Sequence, residues 1–281
     1  MKISKYNFSK NFLKSVRRYT SAYFSAFVYQ MCSKYVYAYR GENNGNIKTN
    51  GELRIINKLL PNCHTVLDVG ANKGEWAKLA LKVNLRLNLH CFEPSPSTFK
   101  LLNENNFPLN VICNNFGLSS TNESAVLKIF GNGSALNSLY SRRGLEDGYG
   151  LLPQKHEEAI LLKTLDEYCE RNELLEDGVD FCKIDVEGHE LEVFKGMTKM
   201  LGNEALRVIQ FEYGGCNIDS RALLKDIFSI FEPYEYTFYK ILPRKLLKVD
   251  RYDQRYENFQ YQNWLVIANN LDSYLQQDLQ G

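Results

Sequence analysis

A carboxylate stands just before a glycine-punctuated turn in the segment VLDVGANKG, residues 66–74. The apolar residues predict a buried strand, and Gly70 lets the chain turn sharply because it has no Cβ atom. Gly74 lets the following helix begin close to a bound nucleoside. A pyrophosphate-binding turn would have the sequence G-x-G-x-x-G, whereas this chain has G-x-x-x-G with Asp68 inside the strand end. A carboxylate suits a cationic cofactor that lacks phosphate and carries an amino-acid tail, which describes S-adenosylmethionine (SAM).

Polar residues also end the next two predicted strands. Glu93 ends the strand in HCFEP, 23 residues beyond Gly70, where an acid reaches both hydroxyl groups of a ribose. The same spacing occurs in NAD-binding folds, so it supports a nucleoside site without selecting the cofactor. After the third strand, Asn115 is suited to bind the adenine edge and Phe116 to pack on the adenine face. Paired asparagines at a strand end are also common turn formers.

Three carboxylates come together in KIDVEGHE, residues 183–190, at the end of another apolar strand. They belong to Asp185, Glu187 and Glu190, and His189 lies among them. Ligands of open α/β sheets bind at this carboxyl edge of the strands. Clustered like charges raise at least one carboxyl pKa, which suits a general base. Alternatively, the glutamates charge the N-terminus of the following helix, and we expect this for at least one of them.

Strand and helix patterns alternate from about residue 52 onward, which brings these polar residues to one edge of a sheet. The predicted strands are 64–70, 87–94, 109–115, 179–188, 206–215, 234–242 and 261–269. The predicted helices are 51–60, 74–83, 96–106, 164–172, 190–201 and 219–231. Residues 124–162 interrupt this alternation of strands and helices. They contain predicted strands at 125–130 and 159–164 around a segment rich in Gly, Asn and Ser. The alternation predicts a parallel sheet covered by helices on both faces.

The composition narrows the class of protein. A chain of 281 residues with 44% hydrophobic residues buries a sizeable core, as one large domain or as one domain with an appendage. Its net charge of +1 gives no sign of a nucleic-acid partner. Seven cysteines without a C-x-x-C pair predict reduced thiols and a cytoplasmic protein, with Cys91, Cys113 and Cys182 as small core residues. Four histidines, none at ligand spacing from a cysteine, argue against zinc.

Several motifs resemble, in order and spacing, those of the FkbM-type SAM-dependent methyltransferases. The motifs are VLDVGANKG, FEPSP, NNFGLSS, LKTLDEY, KIDVEGHELEVFKGM and VIQFE, which cover roughly residues 60–215. The resemblance implies a Rossmann-like class I methyltransferase fold: a seven-stranded, mostly parallel sheet in the order 3-2-1-4-5-7-6, with the last strand antiparallel and helices on both faces. It implies that Asp185 lies near the methyl group. The SAM-binding residues of the family map onto Asp68, Gly70, Asn72, Gly74, Glu93 and Asn115.

The resemblance also implies the reaction, since relatives of this type commonly methylate hydroxyl groups of sugars or polyketides. We therefore predict O-methylation of a sugar or glycan hydroxyl by in-line attack on the sulfonium methyl group. Glu187 is the expected general base, and Asp185 is expected to position the methionine part of SAM. His189 is the alternative base, because an imidazole titrates near neutral pH. Residues 131–150 correspond to a variable loop over the acceptor site.

Two other functions share parts of these patterns. A nicotinamide-dependent oxidoreductase would have the same acid-tipped nucleoside site, but Asp68 and the missing G-x-G-x-x-G count against it. A non-catalytic SAM-binding or assembly protein would dock through its N-terminal segment, but the intact carboxylates of residues 185–190 count against this function. Asp185, Glu187 and Glu212 offer the oxygen ligands that Mg²⁺ prefers. No Asp–Asn pair stands at ligand spacing, so we assign no metal ligand.

Residues 1–50 lie outside the resemblance and form a basic, aromatic-rich helical extension of the methyltransferase domain, which we place at 51–270 with a short helical tail at 271–281. Residues 1–41 hold eight Lys and Arg and no acid. Residues 19–33 are aromatic-rich but too short and too polar to span a bilayer. Two interpretations stay open. The extension is a helical hairpin that packs on the catalytic domain, or residues 1–40 form an interfacial segment on the inner face of the membrane.

Overall fold

The computed structural model of the protein describes residues 22–142 and 154–271. The chain divides into two compact units after Asn43. Residues 44–50, predicted as part of the extension, therefore belong to the second unit. The predicted tail helix lies outside the described residues, apart from Leu271 at its start.

The described part of the first unit is a single helix, α1 (Ala22–Arg40). Its aromatic side chains are largely exposed, with exposed fractions of 59% for Phe27, 74% for Tyr35 and 77% for Tyr39. None of the helices in the described ranges is both long enough and apolar enough to cross a membrane. Residues 1–21 of the predicted extension lie outside the described part of the chain.

The second unit contains an eight-stranded sheet and a separate three-stranded sheet. The strands are β1 (Thr65–Val69), β2 (Asn88–Phe92), β3 (Val111–Asn114), β4 (Gly117–Leu118), β5 (Glu123–Ile129), β6 (His156–Lys163), β7 (Val179–Ile184), β8 (Leu206–Tyr213), β9 (Tyr236–Ile241), β10 (Leu246–Val249) and β11 (Gln262–Ala268). The helices are α2 (Glu52–Leu59), α3 (Glu75–Val83), α4 (Pro96–Asn103), α5 (Leu165–Arg171), α6 (Leu174–Asp177), α7 (Glu190–Lys195), α8 (Thr198–Gly202), α9 (Cys216–Ser220) and α10 (Leu224–Phe231).

The order of strands in the large sheet is β3-β2-β1-β7-β8-β11-β9-β10. Neighbouring strands from β3 to β8 pair in parallel, whereas β11 runs antiparallel to both β8 and β9. The first seven strands of this order follow the 3-2-1-4-5-7-6 pattern, so the predicted class I methyltransferase fold is confirmed. The strand count differs by one, because β10 pairs antiparallel with β9 at the edge and was not predicted.

Helices cover both faces of the large sheet, as the alternation of strands and helices predicts. On one face, Ile56 of α2 and Trp76 of α3 pack in a buried cluster with Phe181 of β7. On the other face, Phe194 of α7 packs edge-on against Phe211 of β8, with ring centroids 5.3 Å apart. Strands between two apolar layers are buried on both faces, which explains their nearly continuous hydrophobic sequences.

The small sheet has the order β4-β6-β5 and contains both strands that were predicted around the Gly, Asn and Ser-rich segment. Strand β6 pairs in parallel with β4 and antiparallel with β5. The sequence did not indicate that these strands form a sheet of their own. Residues 143–153, between β5 and β6, include part of the predicted variable loop and lie outside the described residues.

Two predicted helices are shorter than their sequence patterns suggest. The helix predicted at 190–201 is interrupted at Gly196, where a Cβ atom would lie 2.0 Å from the carbonyl oxygen of Ser119. The helix predicted at 219–231 begins only at Leu224, because Arg221 takes a left-handed conformation with φ +58° after α9. In both cases a local backbone requirement outweighs the helical spacing of the apolar residues.

Candidate active site

The loops after β1 and β7 touch through their backbones, and this contact forms the centre of the site. The N–H of Asp185 donates to the carbonyl oxygen of Val69 at 3.0 Å. Gly70 has φ +82°, and a Cβ atom there would lie 1.8 Å from the carbonyl oxygen of Asp185. Glycine is required here both for the left-handed backbone and for the close approach. The predicted sharp turn at Gly70 is confirmed.

A cavity of about 480 Å³ opens at the carboxyl ends of β1, β2 and β7. Its volume lies in the range of small-molecule binding sites. Strands β5 and β6 of the small sheet supply apolar wall residues, among them Leu127 and Ile160. Asp68 is fully buried one residue before Val69, which lines the cavity. The predicted site residues that line the cavity are Gly70, Asn72, Glu93, Asp185, Glu187 and His189.

Three residues predicted to contact the nucleoside are absent from the cavity wall. Gly74 instead faces α4, since a Cβ atom there would lie 2.8 Å from the side chain of Leu102. Asn115 donates from its amide nitrogen to the carbonyl oxygen of Glu93 at 2.9 Å and so braces the turn after β2. Phe116 packs among aromatic rings beneath that turn. Each of the three therefore supports the loops of the site without lining the cavity.

Glu93 joins the turns after β1 and β2. Its carboxylate accepts hydrogen bonds from the backbone N–H groups of Asn72 at 3.0 Å and Ser95 at 2.9 Å. Burial raises the pKa of Glu93 to about 7, and the two backbone hydrogen bonds oppose that rise. Each carboxylate oxygen keeps a second lone pair. Glu93 can therefore still accept hydrogen bonds from the hydroxyl groups of a ribose.

A row of three polar side chains crosses β1, β7 and β8. Asp68, Lys183 and Gln210 are register partners on these strands, so their side chains leave the same face of the sheet. The Nζ atom of Lys183 lies 3.2 Å from Oδ1 of Asp68 and 3.3 Å from Oδ2 of Asp185. Burial alone would lower the pKa of Lys183, but the two carboxylates outweigh burial and raise it. Lys183 is thus the charged partner of two carboxylates at the site.

Lys183 and Gln210 were not predicted as site residues. The sequence does contain a signal for Lys183: it stands two positions before Asp185, and alternate residues of a strand share a face. Gln210 has no such signal, because its place in the row depends on the pairing of β7 with β8.

Glu187 forms an ion pair with the buried Arg142, a residue that the sequence did not link to the site. The backbone of Glu187 has φ +55°, and its carbonyl oxygen accepts a hydrogen bond from the hydroxyl of Ser138 at 2.9 Å. Burial and the charge of Asp185 raise the pKa of Glu187 to about 8, and Arg142 opposes the rise. A left-handed conformation is uncommon for a residue with a side chain, and such residues cluster at functional sites.

Glu190 braces the same loop from within. It is fully buried, and its Oε1 accepts hydrogen bonds from the N–H groups of Val186 and Gly188, both at 3.2 Å. Its Oε2 accepts a bond from Asn217 at 3.3 Å. The sequence predicts a structural role for at least one glutamate of this segment. Glu190 fits such a role, because its carboxylate joins the backbone of the loop that precedes α7.

His189 is buried in the cavity wall and does not face solvent. Its Nδ1 lies 2.8 Å from the hydroxyl of Tyr140, and its Nε2 lies 2.9 Å from the hydroxyl of Ser119. Burial lowers the pKa of His189, which favours the neutral imidazole. Both ring nitrogens thus have protein partners.

Glu212 is the third carboxylate of the set that the sequence offers to Mg²⁺. Burial and the charge of Asp185 raise the pKa of Glu212 well above its ordinary value. Within residues 22–142 and 154–271, no group of three His, Cys, Asp or Glu side chains is arranged to hold a metal ion.

The donor and acceptor groups of the site fit SAM. Oδ2 of Asp68 and Oε1 of Gln210 are buried acceptors without a hydrogen bond to any described residue. A cationic amino-acid tail supplies the donors that such acceptors need. Glu93 would hold the ribose, and Asp68 and Asp185 would hold the amino-acid part. The sheet order, the cavity, Asp68 near the end of β1 and Glu93 directly after β2 together define a SAM-dependent methyltransferase domain of class I.

Comparison with known proteins gives the family. Residues 68–238 match the methyltransferase FkbM domain family, and the chain belongs to this family. The hexuronic acid methyltransferase AglP of Haloferax volcanii is 32% identical over 186 residues, which cover 63% of this chain and 69% of that protein.

Similar solved structures include the methyltransferase FkbM from Methylobacillus flagellatus, which is 16% identical with a TM-score of 0.43. The match covers 72% of this chain but only 43% of that one. The plantazolicin methyltransferase BpumL, solved in complex with SAH, is 10% identical with a TM-score of 0.40, and the match covers 80% of this chain and 87% of that one.

We expect SAM and its product S-adenosylhomocysteine (SAH) to raise the melting temperature of the protein, and NADH to leave it unchanged. Asp68→Ala and Glu93→Ala should each weaken SAH binding by roughly 10- to 100-fold in calorimetric titrations, since each removes a charge-assisted hydrogen bond of about 1.5–3 kcal/mol. Glu104→Ala, which removes an exposed acid after α4, is the matched control and should bind SAH normally. Equal stabilisation by NADH, or unchanged SAH affinity in both site variants, contradicts this assignment.

Proposed function

We propose that the protein transfers the methyl group of SAM to a hydroxyl group of a sugar, either free or within a glycan. The observation that carries the proposal is the position of Glu187 in the cavity wall, with a pKa raised to about 8. A hydroxyl loses its proton as it attacks, so a carboxylate that takes up protons near neutral pH suits such an acceptor. The name of the Haloferax relative, a hexuronic acid methyltransferase, supports a sugar as the acceptor.

The residues of the cavity have separate roles in this reaction. Bound SAM supplies a methyl carbon that is activated by its sulfonium sulfur. Glu187 accepts the proton of the acceptor hydroxyl while the new O–C bond forms and the S–C bond breaks. Asp185 positions the amino-acid part of the cofactor, and Glu93 holds its ribose. Alignment of the hydroxyl with the methyl carbon and the sulfur supplies much of the acceleration in such a displacement.

Glu187 is a better candidate for the base than His189. Both ring nitrogens of His189 contact protein hydroxyl groups, and burial favours its neutral form. Glu187 uses Oε2 for Arg142, whereas its Oε1 has no hydrogen bond to a residue in the described ranges. One carboxylate oxygen of Glu187 is therefore left for an acceptor hydroxyl.

The acceptor can be tested with SAM that carries a radiolabelled methyl group and a panel of neutral hexoses, hexuronic acids and their nucleotide-linked and lipid-linked forms. We expect label on a sugar, and we expect the label to survive mild alkali, because a methyl ether resists alkaline hydrolysis and a methyl ester does not. Release of the label by alkali would identify a carboxylate as the acceptor. Label on none of these sugars would contradict the sugar assignment.

Glu187→Gln should lower kcat by about 10²- to 10⁴-fold while SAH affinity stays near that of the native protein, because the amide cannot accept the proton. In the native protein kcat should rise with pH through about 8, where Glu187 becomes ionised, and this rise should disappear in the variant. The matched control is Glu192→Gln, which changes a partly exposed glutamate of α7. If Glu187→Gln keeps full turnover and His189→Ala abolishes it, the base is His189.

We also propose that the protein is cytoplasmic and that its N-terminal extension contacts the anionic inner face of the membrane. All seven cysteines are free thiols, which supports a reducing compartment. The first 41 residues hold eight basic side chains and no acidic one. On α1, Phe27, Tyr35 and Tyr39 are exposed. Basic and aromatic residues together are typical of segments that lie in the interface of an anionic bilayer.

The full chain should co-sediment with vesicles that contain phosphatidylglycerol, and the bound fraction should fall as salt rises and screens the charges. Phe27→Ser combined with Tyr35→Ser should reduce binding. Leu109→Ser combined with Leu161→Ser, which changes exposed apolar residues of the second unit, should not. If the α1 variant lowers the melting temperature and leaves vesicle binding unchanged, the extension is a packing element instead.

A further inference from the structure

Three residues of one segment contact the loop that carries Glu187. The hydroxyl of Ser138 donates to the carbonyl oxygen of Glu187 at 2.9 Å, and Arg142 forms an ion pair with the carboxylate of Glu187. Between these two contacts, the hydroxyl of Tyr140 lies 2.8 Å from Nδ1 of His189. We call Ser138, Tyr140 and Arg142 the clamp. The clamp lies between β5 and β6 and is 45 to 49 positions from its partners in the sequence.

The backbone of Glu187 needs support from other elements. Its φ of +55° lies in the left-handed region, and such a conformation of a residue with a side chain persists only where surrounding contacts enforce it. At the next residue, a Cβ atom on Gly188 would lie 2.8 Å from the carbonyl oxygen of Cys216, the first residue of α9. The loop is therefore held against α9 at Gly188 and by the clamp at Glu187 and His189.

Arg142 reaches the site through Glu187. It is not among the described residues that line the cavity, and only 4% of its side chain is exposed. A buried guanidinium group is costly unless an anion balances its charge. Burial alone would lower the pKa of Arg142, but Glu187 raises it, with a smaller contribution from Asp219. Arg142 can therefore influence a bound acceptor through the carboxylate that it holds.

The charge of Arg142 opposes the other effects on Glu187. Burial and the charge of Asp185 raise the pKa of Glu187, and Arg142 lowers it. The titratable groups that face Glu187 are Asp185 before it, Glu190 of α7, Glu212 of β8, Cys216 of α9 and Arg142 of the clamp. Without Arg142 the carboxyl group would keep its own proton at neutral pH and could not accept one from a hydroxyl.

We propose that the clamp positions Glu187 for proton transfer from the acceptor. Ser138 holds the backbone of Glu187, and Arg142 holds Oε2, so that Oε1 faces the acceptor hydroxyl and receives its proton. Tyr140 fixes the same loop at His189. These roles rest on the proposed function of Glu187 as the base. They make the base dependent on residues 138–142, which lie within the segment predicted to cover the acceptor site.

The ionisation of Glu187 can be followed by carbon-13 NMR of the full-length protein labelled at the glutamate Cδ atoms, with the Glu187 signal assigned by its loss in Glu187→Gln. Arg142→Gln should move the midpoint of this titration upward by about 1–3 pH units, because a nearby opposite charge favours the ionised carboxylate. Arg142→Lys keeps a positive charge and should restore most of the native midpoint. Arg171→Gln, which breaks the ion pair with Glu167 on α5, is the matched control and should not move it.

Turnover separates the two roles of the clamp. At pH 7, Arg142→Gln should lower kcat by roughly 10- to 1000-fold, since each pH unit of the shift removes about nine-tenths of the ionised base. SAH affinity should stay native, because no residue of the clamp is among those that line the cavity. Ser138→Ala keeps the charge, so it should lower kcat without moving its pH midpoint. In the Glu187→Gln background, Arg142→Gln should lower kcat no further, because Arg142 acts through Glu187.

An unmoved titration in Arg142→Gln, with turnover still lost in Glu187→Gln, overturns the positioning role and leaves the base in place. An equal loss of kcat with and without the Glu187 carboxylate also overturns it, because a purely structural residue would act in both backgrounds. If Glu187→Gln keeps full turnover, the proposed base is wrong, and the positioning role fails with it whatever the titration shows. If Arg142→Gln does not fold, Arg142→Met takes its place, since it also removes the charge and keeps an unbranched side chain.

Discussion

The buried ammonium group of Lys183 allows several carboxylates to gather at the carboxyl edge of the sheet. It contacts Asp68, the penultimate residue of β1, and Asp185, the first residue after β7, so it joins the ends of the two strands from which the loops of the site start. Each ion taken from water into a protein interior costs several kcal/mol, and removal of one partner of a buried pair costs about 3–5 kcal/mol. Without this cation the two carboxylates would repel each other, and the buried Asp68, whose pKa is already raised by burial, would favour its neutral form. A neutral acid would be a poor partner for a sulfonium cofactor.

The register of the parallel strands brings this cation to the acids. Strands β1, β7 and β8 pair without a bulge, so Asp68, Lys183 and Gln210 fall into one row. Two residues beyond Asp68 and Lys183, the backbones of Gly70 and Asp185 touch, and the chain after Asp185 turns into the loop that carries Glu187. Charge pairing inside the sheet and backbone contact at its edge therefore position the same two loops.

The sequence predicted the parts of the site that depend on local chemistry. The turn at Gly70, the acid at the end of β2 and the carboxylate loop after β7 each lie within one short motif. Arg142 and Gln210 were missed because their roles arise from contacts between distant segments. The contact between Lys183 and Asp68 likewise spans 115 positions, although Lys183 also has a local signal beside Asp185. The orientation of Gly74, Asn115 and Phe116 also depends on contacts with distant segments. These residues lie near the predicted turns, but they support the loops and do not line the cavity.

The three-stranded sheet also affects which parts of the sequence of this enzyme can change during evolution. Strand β6 pairs with β4. The segment that carries β5 and β6 therefore begins at Gly117 and ends at Lys163, and this pairing holds its two ends together. Strands β5 and β6 are registered over seven positions, which fixes the base of the segment that joins them. Ser138, Tyr140 and Arg142 of that segment contact Glu187 or His189, so substitutions there would alter the carboxylate loop. The row of Asp68, Lys183 and Gln210 is set by strand pairing in the large sheet and would stay in place.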